Sequence, residues 1–121
     1  MHILMDCPIA KDTWVFINSR LETAGKSTFN INDERFILFR FPLNKYDCYF
    51  VTEILWALWR VNNYNNYDVP EDQIHRFWTC NNVITIATNR IKYSSKIDRA
   101  IYSELTYQKK WAKINSVLQF I

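Results

Sequence analysis

A chain of 121 residues holds one domain core, and with 49% hydrophobic and 17% aromatic residues it lies far from the composition of a disordered segment. A single glycine and three prolines exclude glycine hairpins and phosphate-cradling loops, which leaves an all-α fold as the expectation. The formal net charge of +3 divides unevenly: residues 1 to 75 carry seven Lys or Arg against ten Asp or Glu, whereas residues 76 to 121 carry eight against two. Such a concentration of positive charge is the footprint of a nucleic-acid or acidic-partner surface, and equally of a solvated helix face.

In chain order, Pro8 suits the first turn of a helix, and Ile9, Trp14, Ile17 and Leu21 keep an apolar stripe at helical spacing, so residues 9 to 23 form the first expected helix. Gly25, among Ser, Thr and Asn, ends it. Phe36 to Phe39 fit a short helix or a short strand, with helix preferred, and Pro42 stops it. The stretch Tyr49 to Asn63, YFVTEILWALWRVNN, is apolar around most of its circumference and is expected to be buried on most of it, as the central helix. It begins near Tyr46 or Asp47, with Asp47 as the cap. Glu53 and Arg60 interrupt it, and it is too short to cross a membrane.

Residues 62 to 69, NNYNNYDV, read as a loop. Pro70, Glu71 and Asp72 start the next helix, whose apolar positions run toward Arg90, with β-branched residues from Thr79 to Thr88 arguing against continuity. Tyr93 to Lys96 read as a connection, and Asp98 as the cap of a last helix that reaches nearly to Ile121. The expectation is one small domain, residues 1 to 121, of about five helices around the central one.

Catalytic constellations are missing from the sequence. His2 and His75 are the two histidines, the acidic pairs Asp33-Glu34 and Glu71-Asp72 sit at helix starts where capping explains them, and no nucleotide or metallohydrolase spacing occurs. Cys7, Cys48 and Cys80 are odd in number and lack a CxxC pair, which argues against a secreted disulfide framework and for an intracellular setting, nucleus or cytoplasm. The first residues carry no basic leader, so no secretory signal is expected. His2 and Cys7, with four residues between them, match the spacing of half a zinc site.

His2, Cys7, Pro8 and Trp14 within HILMDCPIAKDTW, followed by Trp56, Trp59, Arg60 and Asn62 within ILWALWRVNN, make residues 1 to 63 similar to the zinc-binding domain at the C-terminal end of LINE-type (non-LTR) retrotransposon reverse transcriptases. The resemblance implies that residues 1 to 14 are the remnant of a CCHC-type zinc motif, with His2 and Cys7 as its last two ligands. The family's upstream Cys pair would precede Met1, so zinc is expected only if that pair is supplied. The chain then looks like a truncated or domesticated tail, and not an enzyme.

The resemblance also implies a role in handling RNA or DNA, and the basic helices of residues 76 to 121 give that role its own support. Arg76, Arg90, Lys92, Lys96, Arg99, Lys109, Lys110 and Lys113 are the expected phosphate contacts, interleaved with aromatic residues. Trp78 and Trp111 lie on apolar stripes and read as core; Tyr93 and Tyr107 are the rings expected to be exposed for stacking. Weak, salt-dependent binding follows. The alternative is a domesticated module that binds a protein partner or a second copy, because the aromatic content exceeds what a small core needs. No membrane role is expected.

Overall fold

The computed structural model describes residues 8–30, 44–63 and 79–119, and these form four α-helices without a strand among the described residues. Helix α1 spans Pro8–Thr23, α2 Lys45–Asn63, α3 Cys80–Ile101 and α4 Glu104–Leu118. The all-α expectation holds. The short segment at Phe36 to Phe39 and the helix start at Pro70 lie outside the described residues.

Helix α1 buries Ala10, Thr13, Trp14, Ile17 and Leu21, one face at i, i+3 and i+4 spacing. It closes as a Schellman motif: Gly25 takes φ 70°, the Lys26 amide donates to the Leu21 carbonyl at 2.8 Å and the Gly25 amide to that of Glu22 at 3.0 Å. Asn18 then draws the following segment back, its side chain accepting from the Phe29 amide and donating to the Phe29 carbonyl, both at 2.9 Å. Phe29 is thereby buried edge-on to Trp14 and beside Phe50 of α2.

Helix α2 starts slightly earlier than the sequence suggests. Asn44 caps it, its side-chain oxygen accepting from the amides of Tyr46 and Asp47. Asp47 instead accepts from Lys113 of α4 at 3.2 Å. Phe50, Val51, Ile54, Ala57, Leu58 and Val61 form the buried face. The expectation that α2 is buried on most of its circumference does not hold, since Trp56 and Trp59 are exposed. A four-helix core needs only one face of α2, and α3 is packed against all three other helices.

Helix α3 corrects two further readings. It runs unbroken from Cys80 through the β-branched stretch and through Tyr93 to Lys96. The hydroxyls of Thr85 and Thr88 donate to carbonyls one turn back, so they are satisfied inside the helix. Ser95 is buried and shares a 2.5 Å hydrogen bond with the Tyr107 hydroxyl, a tertiary contact where the sequence suggests a break. Asp98 is no cap. It accepts from Trp111 Nε1 at 2.9 Å and pairs with Lys110 at 2.6 Å, tying α3 to α4. The chain turns at Tyr102, and Ser103 caps α4, accepting from the Thr106 amide. Tyr107, Trp111, Ile114, Val117 and Leu118 complete the core, and α4 stops at Leu118.

Candidate nucleic-acid interface

The expected phosphate contacts divide into two sets. Four are engaged within the fold. Arg90 reaches Glu53 through Nε at 2.6 Å and stacks over Trp56, its guanidinium carbon 4.1 Å from the ring centre. That hydrogen bond, donated to the nearly buried Glu53, holds the guanidinium above its ordinary pKa. Arg99 lies over the Tyr107 ring and 3.9 Å from Glu104. Lys110 pairs with Asp98, and Lys113 with Asp47 and the Ser27 hydroxyl. Carboxylates placed on neighbouring helices thus absorb much of the basic excess that the sequence displays.

Lys92, Lys96 and Lys109 are exposed and form no ion pair with the described residues. Arg76, Trp78, His2 and Cys7 lie outside the described residues. Trp111 is fully buried, as its stripe predicts. Tyr107 contradicts its reading: it is 2% exposed, held between Trp111, Ser95 and Arg99, and has no face left for a base. Tyr93 is exposed as expected, at 76%.

Two concavities along α2 bring a different set of residues together. One, of about 350 Å³, is lined by Lys45, Tyr46, Tyr49, Tyr102, Thr106 and Lys110. The other, of about 470 Å³, is lined by Tyr49, Glu53, Asn89, Arg90, Tyr93 and Ser94. Tyr49 lines both, so the two adjoin at that residue, in a run from the first turns of α2 and α4 to the middle of α3. Burial pushes the Tyr49 phenol above its ordinary pKa, with Glu53 adding to the effect and Ser94, Lys110 and Arg90 opposing it, so the group stays a neutral hydrogen-bond donor. Tyr102 is one of the aromatic residues interleaved with the cations of the sequence-based set, whereas Lys45, Tyr46 and Tyr49 are absent from it. Their signal lay in α2, where Lys45, Tyr49, Glu53 and Trp56 recur at three- and four-residue spacing beside the core stripe.

No family model, curated protein or solved structure matches this chain. Among the described residues no group of three His, Cys, Asp or Glu gathers as metal ligands, and Cys48 and Cys80 are half-buried and outside any disulfide. No described helix is long and apolar enough to cross a membrane. A second surface feature adjoins the run: Tyr93, Ile97 and Ile101 recur every four residues on α3, with Ile97 55% and Ile101 68% exposed, and Leu105 of α4 is also open to solvent.

Proposed function

We propose that this chain is a non-catalytic nucleic-acid-binding domain, related to the C-terminal tail of a retrotransposon reverse transcriptase, that holds a single strand along the run that α2 lines with α3 and α4. One observation carries the reading: Tyr46, Tyr49, Tyr93 and Tyr102 line two concavities that share Tyr49, whose walls also present Lys45 together with Arg90 and Lys110, each of these two paired with one carboxylate. Unpaired bases stack on such rings for about 1 to 3 kcal/mol each, with little sequence preference, while ammonium groups meet the phosphates. A duplex offers no free base faces, so single strands are the preferred ligand. Lys92, Lys96 and Lys109 add unpaired positive charge outside the concavities.

Fluorescence anisotropy with a labelled single-stranded RNA and its duplex tests this. Tyr93→Ala or Tyr102→Ala should weaken single-strand binding roughly five- to hundredfold. Equal affinity for strand and duplex, indifferent to loss of either ring, would overturn the reading.

The exposed row of Tyr93, Ile97, Ile101 and Leu105 favours a second reading, a protein-interaction or self-association module. Light scattering separates the two: a stable dimer formed without nucleic acid supports this alternative, and a monomer supports the first.

A further inference from the structure

We propose that the 350 Å³ cavity at the α2–α4 end of the run is a nucleoside-monophosphate site, taking the phosphate on Lys45 and Lys110 and the base against the tyrosine rings. The inference rests on the single-strand reading and makes this cavity the seat of a strand end.

Charge selects this cavity over its neighbour. In the adjoining one, Arg90 is balanced by Glu53, which lines the same wall. Here the lining holds two ammonium groups and no carboxylate; Lys110 is paired with Asp98 at 2.6 Å, whereas Lys45 forms no ion pair with the described residues, so one positive charge is left over. Lys45 is the first residue of α2, at the positive end of the helix dipole, where a cation is disfavoured and an anion welcomed. Its charge there adds to the potential that draws an anion in.

A neutral donor completes the set: Thr106 Oγ1 accepts from Ser103 Oγ at 3.0 Å, which leaves its own hydroxyl proton to donate. A terminal phosphomonoester carries roughly −1.5 to −2 charge at neutral pH, against about −1 for an internal diester, so a strand end outcompetes the middle of a strand. Three phenol rings on the lining argue for a nucleotide over free phosphate. The volume is at the lower end of the roughly 300 to 1,000 Å³ of small-ligand pockets, matching one nucleotide unit and not several.

The test uses the full chain and short oligonucleotides of one sequence ending in 5′-phosphate, 3′-phosphate or hydroxyl, with competition by adenosine monophosphate, adenosine and inorganic phosphate. One phosphorylated end should bind on the order of tenfold tighter than the hydroxyl-ended strand, as one added charge-assisted contact provides. Adenosine monophosphate should compete where adenosine and inorganic phosphate do not. Lys45→Ala should bring the ratio of phosphorylated to hydroxyl-ended affinity to about one, with unchanged circular dichroism. Equal affinity for all ends without competition by the mononucleotide would overturn the site and leave the single-strand reading standing. Mononucleotide binding that Lys45→Ala removes, with no oligonucleotide bound, would support the site and sink the reading. Inorganic phosphate competing as well as the mononucleotide, or a ratio that survives Lys45→Ala, would also overturn the proposal, and absence of all binding would overturn both.

Discussion

Tyr49 lines both concavities, and burial, which penalises the charged form, raises the pKa of its half-buried phenol above the usual value. The unfolded chain releases that proton near pH 10, the folded chain at a higher pH. The stabilisation is therefore fully present below about pH 10 and is lost as pH rises through the folded value. Urea midpoints measured from pH 8 upward should fall beyond about pH 10, and those of Tyr49→Phe should fall less steeply; parallel curves would remove Tyr49 as the cause. Asp98 shows what a single residue hides in a sequence. Next to Tyr93-Ser94-Ser95-Lys96 it has the chemistry of a helix cap, yet it serves as the acceptor for the buried Trp111 indole and the partner of Lys110. Only the packing of α4 on α3 distinguishes the two roles.

At the scale of elements, periodicity located α1 almost to the residue, and the buried faces of α2 and α4 follow the apolar spacing of their sequences. Helix α3 was harder because polar and β-branched residues report local propensity, while its length is decided by Ser95, Asp98 and the alanine and valine positions that face the core. Lys96→Pro probes that continuity, since Lys96 is exposed and its loss removes no packing. In an unbroken helix, proline there deletes a backbone hydrogen bond and displaces Ser95 from Tyr107, at a cost of about 3 kcal/mol or more. A change within about 0.5 kcal/mol, the usual range for an exposed loop position, would mean that the helix breaks at Tyr93 to Lys96 after all. The candidate site was only partly legible for a related reason. Arg90, Tyr93 and Lys110 were picked out by type and neighbourhood, but Tyr46, Tyr49 and Tyr102 become a lining only once α2 lies beside α3 and α4.

For the whole molecule, the sequence shows eight cations in its C-terminal part, and the fold commits Arg90, Arg99, Lys110 and Lys113 to carboxylates. Of the other four, Lys92, Lys96 and Lys109 are exposed and form no ion pair with the described residues, and Arg76 lies outside them; Lys45 of α2 is likewise exposed and without an ion pair there, so the wholly unpaired charge open to phosphates is about half of what composition suggests. Each phosphate neutralised on a single strand contributes a slope of about −0.7 to log K against log salt. The measurement that bears most directly on the proposed function is therefore the affinity of the chain for a single-stranded oligonucleotide across a salt series. A slope of about −2 to −3, with single-strand binding stronger than duplex binding throughout, is the expected result. No detectable binding at about 50 mM salt, where electrostatic association is strong, or an affinity independent of salt, would contradict it.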